Sequence, residues 1–551
     1  MSSITQYKQE EIRKDNPIFS GIRSTIESTF YGNNVVKVTS LNQAYHLAKN
    51  SPGTVITDLP IYKAKELGLD EDAKVLGFND GAITGRYAKA RVIIGDDGVD
   101  EKKYEGVARE ASFNARYETL YHAEAVVGLD RDFMVKAHLL IPKGYENTLY
   151  NWMLNFQYMN EQYKQEYKES KPLPEGDIFV LSLPDYYPDC HKDGLALFDS
   201  DHNCALLCGM RYFGEHKKAT LTLGWSIANR NGYAACHGGL KKYRFDSHNC
   251  YTVGVFGLSG SGKSTLTHDK HDDKYDIAIL HDDAYIISTE NGSSIALEPA
   301  YFDKTQDYPT DHPANKYLLS VQNVGFTKDV DNQTVIVTED IRNGNGRALK
   351  SVFWTDNRVN KIDEPVDAII WLMKDATLPP VVKINNPVLA SVMGATLATK
   401  RTTAERLDKG VDMNALVIEP YANPFRTYPL KNDYEKFKDL FEQRDVACYI
   451  LNTGHFLDKK IPKEVTLGIL EAIAKDELEF ETFGNFKSMA YVDIPGYEVD
   501  LQASSYKEAW KKSLQYRKAF LEQIKVERNG RDNLPDEALD CILELEKQLD
   551  L

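Results

Sequence analysis

The chain has 551 residues, 42% of them apolar, which is enough to core two to four domains at roughly 150 residues each. A net charge of −16 excludes nucleic acid as the main partner, because phosphate backbones need clustered Lys and Arg. No apolar stretch approaches the ~18 residues of a membrane span, the first residues carry no apolar signal core, and the seven cysteines form no CxxC pair. The expectation is a soluble cytoplasmic protein that binds no membrane and works as a monomer or small homo-oligomer. Cys204 and Cys208 lack a second pair and read as core residues.

In chain order, residues 1–30 predict a helix or an arm. A strand-like run at 90–94 precedes a charged loop at 96–103, and the apolar run 133–142 fits either a helix or a strand. Residues 156–176 are rich in Gln, Tyr, Lys and Glu, with Pro172 and Pro174 near the end, and predict a solvated helix and linker. Strands are predicted at 178–183, 205–208 and 220–227, and a polar hinge at 243–249. Further strands follow at 253–256, 277–280, 334–337, 368–372 and 447–451. Apolar residues at three- and four-residue spacing predict helices over 506–526 and 536–549. The class is mixed α/β, divided into domains at 1–245 and 246–551.

The chemistry is densest at 253–267. Gly257, Gly262, Lys263 and Ser264 complete a G-x-x-x-x-G-K-[ST] phosphate loop (P-loop) between a strand and a helix. Glycines let successive N–H groups of Ser259, Gly260, Ser261 and Gly262 face one anion. Lys263 adds charge at the β/γ-phosphates, the Ser264 hydroxyl reaches Mg²⁺, and Thr265 opens the helix. The strand ending at His281-Asp282-Asp283 places two carboxylates where a phosphate-bound metal is held. Arg211-Tyr212-Phe-Gly-Glu-His-Lys217-Lys218 and His237 carry titratable groups that pattern alone reads as solvated surface or structural residues. The turn Gly81-Ala-Ile-Thr-Gly-Arg86 presents an arginine fork suited to a carboxylate, though an ordinary turn reads the same way.

Together these segments resemble ATP-dependent phosphoenolpyruvate carboxykinase. The family's Gly-Leu-Ser-Gly-Thr-Gly-Lys-Thr-Thr-Leu is matched by Gly257-Leu-Ser-Gly-Ser-Gly-Lys263-Ser264-Thr-Leu, which differs at two positions. Its Phe-Thr-Gly-Arg resembles Ile83-Thr-Gly-Arg86, its Trp-Tyr-Gly-Gly-Glu-Met-Lys-Lys resembles 211–218, and its Ser-Met-His resembles Ala235-Cys-His237. Glu298 and Lys304, Thr338-Glu-Asp-Ile-Arg342, Leu378-Pro-Pro-Val381, Asn452-Thr-Gly454 and Lys459-Lys460-Ile461…Thr466 follow in the family's order. The resemblance implies a two-domain fold with a P-loop in the C-terminal domain and an active-site cleft between domains.

It also implies ATP, Mn²⁺ and Mg²⁺ as cofactors and oxaloacetate as the small carboxylate converted to phosphoenolpyruvate, a gluconeogenic or anaplerotic step. Mn²⁺ falls to Lys218, His237 and Asp283, and Mg²⁺ to Ser264 with Asp282 nearby. Arg86 and Tyr212 fall to the substrate, Lys217, Lys263 and Arg342 to the transferring phosphoryl group, and Glu298, Lys304, Lys460, Ile461 and Thr466 to the nucleotide side. Ala284-Tyr-Ile-Ile follows the acids where the family has Glu-His-Gly-Trp, His281 replaces a glycine, and Lys460 replaces an arginine. Arg347 competes with Arg342. These departures keep two further readings open: a kinase for another small carboxylate without decarboxylation, and an ATP-binding regulatory protein without turnover.

Overall fold

A computed structural model describes residues 2–549 apart from 80–86, 247–248, 259, 306–308, 340–345, 401–411, 413–414 and 499. It is a mixed α/β fold with several sheets. The chain divides into two compact units. One comprises the described residues of 1–227 and 297–356, the other those of 228–296, 357–402 and 409–551. Residues 228–245, expected with the N-terminal part, thus group with the later segments, and 297–356 group with the earlier ones.

In the first unit an eight-stranded sheet is built around the antiparallel hairpin Leu120–Asp130 and Phe133–Pro142. The run 133–142 is a strand, buried along nearly its whole length. Helices Gly21–Thr29 and Glu101–Ala115 cover one face, where Ile22, Ile26, Ala108 and Ala111 pack on Leu120, Leu140, Leu181 and Leu206. The charged stretch 96–103 is only partly a loop. Asp100 accepts from the N–H groups of Lys102 and Lys103 and caps a helix that begins at Glu101. A five-stranded sheet joins Lys74–Phe78 to Leu318–Gln322 in parallel, and Arg347–Lys350 pairs with both Leu318–Gln322 and Tyr301–Lys304.

The stretch 220–227, expected as a strand, lies inside the helix Phe213–Arg230. Its Thr-Leu-Thr-Leu alternation mimics the period of a strand, but hydroxyls of this stretch find outlets within the helix. Thr220 donates to the His216 carbonyl at 3.0 Å and Ser226 to that of Thr222 at 3.0 Å. The Trp152 indole also donates to Thr220 at 3.0 Å, so the buried hydroxyl both donates and accepts.

In the second unit an eleven-stranded sheet has three parallel strands at its heart, Cys250–Phe256, Ala368–Met373 and Ala447–Asn452. Val253 faces Ala368, which faces Ala447, so the C-terminal ends of these strands lie level. Their near-continuous apolar runs suit strands covered on both faces. The expected hinge at 243–249 instead joins two paired strands, because Tyr233–Arg244 pairs antiparallel with Cys250–Phe256 through Arg244↔Cys250, and the Phe245 N–H donates to the Asn249 carbonyl at 2.9 Å. No helix among the described residues is long and apolar enough to cross a membrane. The seven cysteines are free thiols.

Beyond the end of Ala368–Met373, the buried Asp375 carboxylate accepts from Arg517 at 2.9 Å and Ser513 at 2.7 Å, both on the helix Ser504–Val526. Burial alone would raise the Asp375 carboxyl. The Arg517 guanidinium, with Ser513 and Thr377, outweighs it and holds the group below the ordinary carboxylate range. A depressed folded-state value means the stabilisation is present above the unfolded carboxyl's range near 3.9 and is lost as pH falls through the folded value. Arg517→Ala is therefore expected to cost about 3–5 kcal/mol in a urea melt at neutral pH, since it strands a buried charge. Asp375→Asn should flatten the acid limb of the stability curve. An acid limb identical to that of the parent would show that this pair does not set it.

Candidate functional site

In the second unit one strand organises the titratable groups. Tyr233–Arg244 pairs with two successive strands, Asp276–His281 through Leu240↔His281 and Ala284–Ser288 through His237↔Ala284. Asp282 and Asp283 occupy the break between those strands, so sheet register sets them beside His237. The His237 Nε2 atom lies 3.0 Å from Asp283 Oδ1, while its Nδ1 meets the Ala422 carbonyl at 2.5 Å. That second contact fixes the Nδ1–H tautomer and leaves the Nε2 lone pair facing a carboxylate, a donor pair suited to a divalent cation.

The residue that replaces a glycine of the resembled family shapes this turn. His281 is fully buried, and its Nδ1 accepts from the N–H groups of Asp283 at 3.0 Å and Ala284 at 3.1 Å. The half-buried Asp282 pairs with His268 at 3.3 Å. Burial pushes its carboxyl up, but His268, His281 and Lys263 outweigh that and hold it well below the usual range, so it stands ionised.

The glycine loop leads from Cys250–Phe256 into a short helix, Lys263–His268. Gly262 has φ +94°, a left-handed backbone that favours glycine. A Cβ on Gly257 would lie 2.2 Å from Ser261 Oγ. That hydroxyl is buried and has no hydrogen-bond partner among the described residues. Six residues make a weak macrodipole, so the attraction for an anion rests on loop N–H groups and on Lys263. The Lys263 Nζ lies 3.6 Å from Asp283 Oδ1, on the same oxygen as His237. Leu266 anchors the helix in the core while Ser264 and Thr265 stay exposed. The Lys374 ammonium, at the end of the neighbouring parallel strand, donates to the Gly260 carbonyl at 2.9 Å. Sequence reasoning missed Lys374, and only its position just after an apolar strand hints at it.

Around these loops the Asn452 side chain donates to the carbonyls of Asp375, Leu378 and His455 and accepts from Gly454 N–H, so that motif is a structural brace. Lys460 is exposed in the short strand Lys459–Lys460, Ile461 is buried with its N–H on the Gly454 carbonyl, and Thr466 donates to the Lys463 carbonyl.

In the first unit the predicted residues form a second group. Lys217 and Glu298 are both buried and paired at 2.9 Å, and Asn155 donates to the other Glu298 oxygen at 2.5 Å. Glu298, expected on the nucleotide side, is thus enclosed and holds Lys217. The half-buried Lys218 lies 5.6 Å from the Trp225 ring. Burial raises the Tyr212 hydroxyl, partly offset by the positive charge of Arg347. Arg347 faces Lys304 across the strand pair. Arg86, Ser259 and Arg342 lie outside the described residues.

An ionised acid turn, a tautomer-fixed histidine and a lysine-bearing glycine loop thus gather at the ends of strands of one sheet, and they offer the charge and donor types that anionic and cationic ligands need. The profile of the phosphoenolpyruvate carboxykinase family matches residues 66–500, and the chain belongs to that family. A protein named phosphoenolpyruvate carboxykinase (ATP) from Aeropyrum pernix is 25% identical over 387 residues, 66% of this chain and 71% of its own. Proteins of the same name from Rubrobacter xylanophilus and Christiangramia forsetii are 23% identical over 447 residues and 24% over 416. They cover 73% and 70% of this chain, and 78% and 73% of their own lengths.

His281→Ala removes the acceptor of two backbone N–H groups in a buried turn, which should cost about 1–3 kcal/mol. Affinity for Mn²⁺, followed by electron paramagnetic resonance, is expected to fall more than affinity for ATP. Parental Mn²⁺ binding would mean that the turn holds its shape without the ring.

Proposed function

We propose that the protein catalyses the ATP-dependent conversion of oxaloacetate to phosphoenolpyruvate, ADP and CO₂. The observation that carries this reading is the convergence of His237, at 3.0 Å, and Lys263, at 3.6 Å, on one oxygen of Asp283. Membership of the carboxykinase family supports the same reading.

The glycine loop binds the triphosphate through its N–H groups, and Lys263 offsets charge on the γ-phosphoryl group. Loss of CO₂ from oxaloacetate leaves the enolate of pyruvate. Its oxygen attacks the γ-phosphorus in line, and ADP departs. His237 and Asp283 would hold a divalent cation, Mn²⁺ by the family resemblance, which would supply Lewis acidity to the reacting oxygens; the same resemblance assigns Lys218 as a further ligand and Ser264 to the Mg²⁺ of the nucleotide.

We assign Arg86 and Tyr212 to the substrate carboxylate, and Lys217 and Arg342 to the phosphoryl group. Arg347 is 3% exposed, donates to the Gly346 carbonyl at 2.9 Å and brings its charge to bear on the Tyr212 hydroxyl, which suits positioning of Tyr212 better than contact with phosphate. Lys304, Lys460, Ile461 and Thr466 are assigned to the nucleotide side. In domain terms, the unit with Tyr212 and Lys218 serves the substrate, and the unit with the glycine loop serves ATP.

The test is phosphoenolpyruvate formation from oxaloacetate with ATP and Mn²⁺. Turnover is expected in the parent and a fall of at least a hundredfold in Lys263→Ala, since charge stabilisation of this kind is worth roughly 3–4 kcal/mol. Phosphorylation of a different carboxylate, with none from oxaloacetate, would transfer the assignment to a kinase without decarboxylation. Near-parental rates in Lys263→Ala would refute the phosphate-loop reading.

A further inference from the structure

A second cluster of metal-type donors lies wholly within the first unit, on the hairpin Leu120–Asp130 and Phe133–Pro142 of its eight-stranded sheet. His122 and Glu124 sit two residues apart on the strand Leu120–Asp130, so their side chains leave the same face. Glu124 is directly opposite His138 on the strand Phe133–Pro142. His122 Nε2 lies 3.0 Å from His138 Nδ1, and Glu124 Oε1 lies 3.7 Å from the same Nδ1. One ligand atom from each residue falls within 4.8 Å of the other two. Three ligands about 2.1 Å from one tetrahedral ion stand roughly 3.4 Å apart, a spacing that the two measured separations bracket.

The surroundings orient the donors. The other His138 nitrogen, Nε2, meets Asp177 Oδ2 at 3.0 Å, and Asp177 in turn accepts from Ser3 at 2.6 Å. This is the carboxylate–histidine arrangement that fixes a ligand's tautomer, with Nδ1 left as the coordinating atom. Phe179 stacks on His138 at 4.5 Å and Phe30 stands edge-on to His122 at 5.2 Å, so apolar walls hold both rings. Both histidines are buried, whereas the Glu124 side chain is 38% exposed, which leaves an approach from solvent. Lys37, paired across from His122 in the parallel strand, and Lys136 bring positive charge nearby, which Glu124 and Asp177 offset. Two imidazoles 3.0 Å apart cannot both carry two protons, so at least one nitrogen lone pair faces the gap.

We propose that His122, Glu124 and His138 form a second divalent-cation site, of the zinc class by its two nitrogen donors and one oxygen donor, with water in the fourth position. It is separate from the His237–Asp283 pair and clamps the central hairpin.

Titration of the full-length, chelator-stripped chain with Co²⁺, read by the visible absorption of tetrahedral cobalt, tests this. All chains carry His237→Ala, so that the other cation site is removed. The expected result is one tetrahedral Co²⁺ per chain, at least tenfold weaker binding in Glu124→Gln, and loss of the band in His138→Gln. Zn²⁺ should raise the melting temperature of the His237→Ala chain but not of its Glu124→Gln derivative. His138 is buried and its variant can misfold. Glu124 is partly exposed, so Glu124→Gln, checked by circular dichroism, decides alone in that case. Absence of a tetrahedral band, or a band and affinity unchanged in Glu124→Gln, overturns the proposal.

Discussion

The Asp283 carboxylate is the point on which the second unit's site turns. A partly buried negative charge needs partners, and here His237 and Lys263 meet on a single oxygen. Neither partner is local in sequence. His237 arrives because the strand Tyr233–Arg244 is long enough to pair with two strands in turn, and the acids fill the gap between them. A one-residue slip would carry His237 to the opposite face of the sheet. Register is held by the flanking buried runs, including Ala234, Cys236 and Leu240 on one side and Ile279, Ala284 and Ile286 on the other. Hydrophobic patterning therefore determines where the charges meet.

Beneath the loops, polar groups are satisfied in sequence. Asn452 ties together the Asp375, Leu378 and His455 backbone, Asp375 is bound by Arg517 and Ser513, and Lys374 holds the Gly260 carbonyl. All of these lie at or just beyond the level ends of parallel strands, where open α/β sheets place their ligands. The consequence is a glycine loop whose backbone is restrained from below while its Ser261 hydroxyl has no hydrogen-bond partner among the described residues.

The strand and short helix that flank the glycine loop, the strand that ends in Asp282 and Asp283, and the strands near 253–256, 368–372 and 447–451 were legible because each is signalled locally by an apolar run, a glycine pattern or a terminal acid pair, whereas the parallel order of those strands leaves no local trace. The helix Phe213–Arg230 was misread across 220–227 because alternating Thr and Leu have the period of a strand, and only the i−4 carbonyls that take up the hydroxyls reveal the alternative. The grouping of 297–356 with the early chain was not legible, since the pairing of Ser320 with Leu76 spans a sequence distance that leaves no local trace. His281 appeared only as a departure from a family pattern. Its role as acceptor for the turn emerges once the two N–H groups are seen to converge on its ring.

The neighbouring lysines 217 and 218 show why a motif alone underdetermines chemistry. Adjacent residues on a helix point about 100° apart, so the pair cannot share an environment. Lys217 is 1% exposed and its ammonium is held by Glu298, which is itself anchored by Asn155. A buried ion pair of this kind resists the loss of either charge, because the survivor would be left unpaired in a medium of low dielectric. Lys217 is thus fixed as a cation. Lys218 stands half-buried, its ammonium 5.6 Å from the Trp225 ring. A lysine can serve as a metal ligand only when neutral, a state that the Glu298 carboxylate opposes in Lys217.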